Sequence, residues 1–267
     1  MTVTSSQSAT LPGKVYLVGA GPGAADLITV RGARLLAQAD VVLHDALVEP
    51  EMLALCPQAK LIAVGKRCGK HSSAQHFINK QLIDNARTHA LVVRLKGGDP
   101  MLFGRADEEL RALEAAGIEV DVVPGITAAL ASASSLKSSL TLRGVARSVA
   151  FATQSRAPDT AEITAHASAD SLVYYMGRDS APQIAAELIA AGKPASTPVA
   201  IVEAATTPRE RRVTLTLGAL RDGEAAQWFD AAQPSVLLIG QAFARADADT
   251  LVDNLADDVT LAAYQAA

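Results

Sequence analysis

The sequence predicts a two-domain α/β protein. The first domain holds a mostly parallel sheet with helices on both faces, and the second a mixed sheet with helices. Three observations predict it. Between residues 14 and 123, short β-branched runs alternate with amphipathic stretches through short loops. At Pro124-Gly125-Ile126-Thr127 that alternation breaks. Near Ser148 a second series of strands begins, with fewer helical stretches between them. The expected division is a tail over 1–13, a first domain over 14–126, a second over 127–244 and a C-terminal tail over 245–267.

Lys14-Val15-Tyr16-Leu17-Val18 reads as the first strand and runs into Gly19-Ala20-Gly21-Pro22-Gly23. A helix is expected over 26–39, with Leu27, Val30, Ala33, Leu35 and Leu36 as its apolar members. The strand at Asp40-Val41-Val42-Leu43 ends at His44-Asp45, and a short helix over 49–55 follows. The strand over 60–64 leaves at Gly65-Lys66-Arg67, before a helix over 73–88 that opens with a serine cap. Leu91-Val92-Val93-Arg94-Leu95 reads as a buried strand and meets Lys96-Gly97-Gly98-Asp99-Pro100. The paired glycines let the backbone reach φ > 0 and approach a ligand closely, and Pro100 stops the strand. A helix over 106–116 is closed by Gly117, and a fifth strand runs over 118–123. The small residues of 128–135 suit a closely packed helix. In the second series, strands are expected over 148–152, 172–175, 198–202, 212–216 and 236–239, with a helix over 182–191 closed by Gly192. Arg209-Glu210-Arg211-Arg212 reads as a solvated turn into a strand.

With 49% hydrophobic but only 4% aromatic residues, the core must be built from Ala, Val, Leu and Ile. A net charge of -4 argues against nucleic acid as the main partner. No apolar run approaches the ~20 residues of a membrane span, and the Ser/Thr-rich start lacks the basic and apolar regions of a signal peptide. Cys56 and Cys68 form no C-x-x-C pair and read as reduced thiols of a cytoplasmic protein. The histidines show no zinc-type spacing, so no metal site is expected.

A parallel sheet brings the loops at 19–23, 44–45, 65–67 and 97–105 to its carboxyl edge, where open α/β sheets bind ligands. The first loop is not a dinucleotide fingerprint. Its third glycine stands one position early, and Pro22 removes a backbone donor that a pyrophosphate would need. An uncharged or zwitterionic ligand fits it better. Taken alone, Asp45 reads equally as a base or as a helix-initiating residue, Lys66 and Arg67 as surface charges, and Glu108 and Glu109 as acids suited to a helix N-terminus.

Val18-Gly19-Ala20-Gly21-Pro22-Gly23, Asp45-x-Leu47-Val48, Val64-Gly65-Lys66-Arg67-x-Gly69-x-His71, the run from Arg94 to Arg105 and Val122-Val123-Pro124-Gly125-Ile126-Thr127-Ala128 are motifs of a known family. Through them the chain resembles the tetrapyrrole methylases, and among these the group that methylates uroporphyrinogen III. The resemblance implies a homodimer of two-domain subunits with S-adenosylmethionine held between the domains and no metal. The implied reaction is methylation of uroporphyrinogen III at C2 and then C7 to give precorrin-2, a precursor of siroheme, cobalamin and haem d1. Carried over by position, the donor site comprises Pro22, Gly97, Gly98, Asp99, Leu102, Thr127, Ala128, Met176 and Ala205. Asp45 and Lys66 match the proton acceptor and donor; Arg105 joins them, and because arginine stays protonated it reads as a carboxylate clamp. Arg67, Glu108 and Arg143 match substrate-binding positions. The chain departs from the family pattern at Ala24 (usually Asp), at Gln154-Ser155 (usually Gly-His), at Ser139 (usually Pro) and at Ala204-Ala205 (usually Asn-Gly). No dehydrogenase or ferrochelatase domain of the fused family forms is expected. A precorrin methyltransferase acting later in the pathway, or a non-catalytic donor-binding protein of the same fold, are the alternatives.

Overall fold

The computed structural model describes residues 12–64, 71–154 and 168–244, with the side chains of 71–74 left out of the description. Apart from Pro12 and Gly13, both expected tails therefore lie outside the described residues, as do Lys66, Arg67 and Cys68.

The first sheet contains β1 (Lys14–Gly19), β2 (Val41–His44), β3 (Lys60–Ala63), β4 (Leu91–Lys96) and β5 (Val120–Val123) in the order β3-β2-β4-β1-β5. Every neighbouring pair is parallel. Side chains alternate across a strand, so the inner strands feed two cores. On one face Val15, Leu17, Val41, Leu43 and Val92 meet Leu82 of α3 (His71–Ala86) and Leu113 of α4 (Ala106–Ala115). On the other, Val18, Val42, Val93, Leu95 and Val123 meet Leu36 of α1 (Val30–Gln38) and Met52 of α2 (Pro50–Leu53). Burial on both faces is why the inner strands β1, β2 and β4 read as nearly continuous apolar runs, whereas the edge strand β3 is largely exposed.

The second sheet contains β6 (Val149–Thr153), β7 (Ser171–Tyr175), β8 (Pro198–Glu203), β9 (Arg211–Thr216) and β10 (Ser235–Ile239) in the order β6-β7-β10-β8-β9. Only β6 and β7 pair in parallel; the other pairs are antiparallel, so the sheet is mixed. Ala129, Ala131 and Ala133 of α5 (Ala128–Leu136) lie against Val173, Ala200, Val202 and Leu238, with small side chains that allow a close fit. α6 (Ala181–Ala190) and α7 (Leu217–Arg221) cover the opposite face over Leu172, Tyr174, Ile201 and Leu237.

The helix expected over 73–88 runs from His71 to Ala86, so Ser73 lies inside it and does not cap it, and two further boundaries move for local reasons. The stretch over 26–39 splits into a 3₁₀ turn at Ala25–Leu27 and α1, because Thr29 caps the helix and accepts a hydrogen bond from Gly32 N at 3.1 Å. The strand expected from 118 begins at Val120, because Ile118 completes the end of α4. Gly117 takes φ +70°, its N–H donates to Glu114 O at 3.0 Å, Ile118 N donates to Leu113 O at 3.0 Å, and both Ile118 and Leu113 are buried.

The run 209–212 is a turn into β9 with Arg209, Arg211 and Arg212 exposed, as expected, but its charges are paired rather than free. Arg209 ion-pairs with Glu49 of the first unit at 2.6 Å, and Glu210 accepts from Thr206 N at 2.7 Å and from Ser135 Oγ. Arg211 pairs with the fully buried Glu203 and lies 4.8 Å from the Trp228 ring centroid. Glu203 sits directly opposite Arg211 in the β8–β9 register, a partner that local sequence does not reveal.

At the carboxyl edge of the first sheet, backbone packs on backbone. A Cβ added at Gly125 would lie 2.4 Å from Gly98 O and 2.8 Å from Gly19 Cα, and neither is the movable end of a side chain. Gly125→Ala is therefore expected to lose about 1–3 kcal/mol of stability, seen in urea as a lower midpoint with an unchanged slope. An unchanged midpoint would mean that these loops separate freely.

Candidate active site

Because the first sheet is parallel, the loops after β1, β2, β4 and β5 leave from the same edge. Gly21 and Gly98 join two of them by exchanging backbone bonds, Gly21 N to Gly98 O at 3.2 Å and Gly98 N to Gly21 O at 2.7 Å. Gly98 takes φ +68°, and no atom lies within 4 Å of the point where a Cβ would stand. Beside it, Asp99 uses both carboxylate oxygens on backbone: Oδ1 accepts from Met101 N at 2.8 Å and Oδ2 from Gly125 N at 2.9 Å. Asp99 thus shapes its own turn and ties the loop after β4 to the loop after β5. Gly97 packs on Leu47, whose Cβ would lie 3.0 Å from an added methyl.

The second sheet faces these loops. Thr127 is the N-cap of α5, and its hydroxyl hydrogen-bonds the Tyr175 hydroxyl, which also accepts from Ala129 N at 3.1 Å. Burial raises the Tyr175 pKa, against the hydrogen bonds from Thr127 and Ala129. Its ring centroid lies 5.2 Å from that of Phe103 and 6.3 Å from that of Phe151. Met176 follows β7, exposed at φ 53°. Ala205 is buried between Ala204 and Thr206, at φ 48° and 67°. A Cβ on Gly23 would meet Ala205 O at 2.8 Å, and Ala24 N donates to Thr206 Oγ1 at 3.0 Å, so the first loop touches the loop after β8. Among the described residues, the non-glycine positions with positive φ are Phe103, Arg105, Met176, Ala204, Thr206 and Lys137. All but Lys137, which ends α5, lie in these loops. Each costs on the order of 1–2 kcal/mol, and strain of this kind collects at ligand sites.

The charges form two groups. Below the edge, Arg94, Lys96 and Glu109 are buried, with side chains 2%, 4% and 0% exposed. Arg94 Nε donates to Glu109 Oε1 at 3.1 Å and Nη2 to Asp45 Oδ1, while Lys96 Nζ reaches both Glu109 oxygens at 3.1 and 3.0 Å. Burial opposes the Arg94 charge, but Asp45 and Glu109 outweigh it and its pKa rises. Burial, and then the Arg94 cation, push Lys96 below the usual lysine range. At the surface, Arg105 opens α4 and forks onto Glu108, Nε to Oε1 at 2.7 Å and Nη2 to Oε2 at 2.8 Å.

The structure thus gathers Pro22, Gly97, Gly98, Asp99 and Leu102 in the linked loops after β1 and β4, and sets Thr127 and Ala128 at the start of α5 and Met176 and Ala205 in the loops after β7 and β8. Asp45 and Gly97 are neighbours through Leu47 and the Asp45 N to Leu95 O bond of 3.3 Å. Arg143 stands apart, exposed in the turn closed by the Leu142–Ala146 pairing, with no hydrogen bond or ion pair among the described residues. Two groups escaped the sequence reading. Tyr175 carried no signal beyond a polar end on a strand. Arg94 and Lys96 did: two cations on one face of a buried strand demand buried acids.

This architecture is that of a two-sheet α/β protein in which the loops of a parallel sheet meet those of a mixed sheet. The glycine-lined, strained rims where they meet suit a ligand that packs against backbone. Among the described residues no helix is long and apolar enough to cross a membrane.

The model of the tetrapyrrole (corrin/porphyrin) methylases matches residues 14–221. The chain is 44% identical over 235 residues to a uroporphyrinogen-III C-methyltransferase of Pseudomonas aeruginosa, covering 86% of this chain and 94% of that one. It is 46% identical over 241 residues to a siroheme synthase of Tolumonas auensis, covering 88% of this chain but 50% of that protein, so it spans about half the length of such relatives. The crystal structure of a Thermus thermophilus uroporphyrin-III C-methyltransferase complexed with S-adenosyl homocysteine superposes with a TM-score of 0.75 at 40% identity, covering 86% of this chain and 98% of that one. The chain belongs to the tetrapyrrole methylases.

Asp99→Ala frees the Met101 and Gly125 N–H groups. It is expected to cost about 1–3 kcal/mol and to loosen the loop pair, whereas Asp99→Asn keeps one acceptor and loses less. Thermal melts of both variants check this, and equal melting for Ala and Asn would refute the two-bond tie.

Proposed function

We propose that the chain is a methyltransferase that moves methyl groups from S-adenosylmethionine to C2 and then C7 of uroporphyrinogen III, giving precorrin-2 for siroheme synthesis. The observation that carries this reading is the near end-to-end likeness to the Pseudomonas aeruginosa enzyme. The cleft suits the donor: Gly98 opens on free space, Met176 is exposed, and Thr127 and Ala128 begin a helix. In this reading Pro22, Gly97, Gly98, Leu102, Thr127, Ala128, Met176 and Ala205 hold the donor, and Asp99 sets the loop that does so. Two units meeting at 126/127 agree with α5 packing on the second sheet.

S-adenosylmethionine supplies a methyl on a positively charged sulfur, so the macrocycle that receives it gains one positive charge. The pyrrole carbon is already electron-rich, and alignment in the cleft can supply up to roughly 7–11 kcal/mol of the acceleration. Asp45 takes the proton whose departure restores the macrocycle's charge. Lys66 and Arg67, outside the described residues, are assigned as proton donor and substrate contact. Arg105 clamps a substrate carboxylate with the fork it now turns on Glu108, a geometry lysine lacks. Arg143 is kept as a substrate contact on resemblance alone.

The same reading gives a homodimer in the cytoplasm. The hollow lined by Leu130, Ala133, Leu140, Val149 and Phe151 together with Lys137 and the hydroxyl residues of 134–141 offers a second copy a surface, and buried Cys56 stays a thiol.

Incubated anaerobically with fresh uroporphyrinogen III and S-adenosylmethionine, the protein is expected to give a product carrying two added methyl groups, each methyl having replaced a lost proton, in mass spectrometry. No added methyl, with donor still bound in calorimetry, would overturn the reading. Arg105→Ala is expected to weaken tetrapyrrole binding about tenfold or more with donor affinity unchanged; equal loss of both would refute the clamp.

A further inference from the structure

We propose that Arg94 is the positioning residue of this reaction, holding the Asp45 carboxylate in the orientation from which it accepts the proton. The proposal rests on the reading of Asp45 as proton acceptor. Asp45 follows β2 with its side chain 25% exposed, so it stands at the boundary between cleft and core. Its Oδ1 is taken by Arg94 Nη2, and among the described residues Oδ2 has no hydrogen-bond donor. One oxygen is held and the other is left for the substrate.

Arg94 can hold it because Arg94 itself cannot turn. Its Nη1 donates to Leu95 O at 3.1 Å and to Leu43 O at 3.4 Å, carbonyls of the two strands that the guanidinium bridges. Its Nε is bound to Glu109, and Glu109 is fixed by Lys96 at 3.0 and 3.1 Å and by Gln75 Nε2 at 3.2 Å. Two cations and two anions thus balance, three of the four out of water. Stability alone is a poor account of such a cluster, since apolar residues of equal volume generally stabilise as well or better. Orientation of a group at the cleft is what the apolar version lacks.

A double-mutant cycle tests this on the full-length protein with Asp45→Asn, Arg94→Met and the pair, reading kcat and KM for methylated product and donor affinity by calorimetry. Arg94→Met is expected to lower kcat by about 10- to 100-fold with donor affinity unchanged. It should cost almost nothing further in the Asp45→Asn background, as for residues that act as a unit. The same loss in both backgrounds would make Arg94 a general structural residue and overturn the proposal, as would an unchanged kcat. An unchanged kcat in Asp45→Asn alone would instead overturn the role of Asp45, on which the proposal stands. If Arg94→Met does not fold, Arg94→Lys runs in the same cycle. It keeps the charge but cannot span Leu43, Glu109 and Asp45 together, so a wild-type kcat there would overturn the proposal.

Discussion

Two cations lie inside the core at the centre of the first sheet, and much of the site follows from how they are accommodated. β4 runs between β2 and β1, so Arg94 and Lys96 cannot reach water. Leaving either unpaired costs several kcal/mol. Glu109 on α4 answers both, which fixes α4 against the end of β4. The loop between strand and helix is then anchored at both ends, starting one residue after Lys96 and closing at Arg105. Gly98, Asp99 and Phe103 lie on that span, so the loop's shape is set by charges beneath it as much as by its own turn chemistry.

The second constraint is backbone contact. Gly19, Gly98 and Gly125 touch without side chains between them, and Asp99 adds a carboxylate tie from Gly98's neighbour to Gly125. Three strand ends become one rigid rim. The opposite wall is built differently, from residues held at positive φ and from the Tyr175 hydroxyl that bridges Thr127 and Ala129. Phe103 reaches across to Tyr175, so the two walls are in register through an aromatic pair.

What could be read from the sequence was whatever is encoded by near neighbours. The β-branched runs of 91–95 and 41–43, the glycine that ends α4 and the loops collected at one edge all follow from local pattern plus the rule that parallel strands share an edge. The cap at Thr29 is encoded just as locally, but the longer apolar periodicity of 26–39 masks it. The pairings of Arg94 with Asp45 and Glu109, of Arg209 with Glu49 and of Tyr175 with Thr127 span distant parts of the chain. No local pattern specifies them. For Arg94 and Lys96 the sequence posed the question, a charge pair in a buried strand, without naming the answer.

Three of the departures that the resemblance marked, Ala24, Ala204 and Ala205, bear on the same distinction between side chain and backbone. Ala24 stands where an aspartate is usual, yet its contact with the second unit is through its N–H to Thr206 Oγ1. Ala204 stands where an asparagine is usual, at φ 48°, a region asparagine tolerates better than alanine. The turn holds it there regardless: Thr207 donates to Ala204 O from both N, at 3.0 Å, and Oγ1, at 2.8 Å, and Glu210 fixes Thr206 N at 2.7 Å. Ala205 presents its carbonyl to Gly23, and a carbonyl is common to every residue. At each of these positions the contact belongs to the backbone, and the alanine side chain takes no part in it.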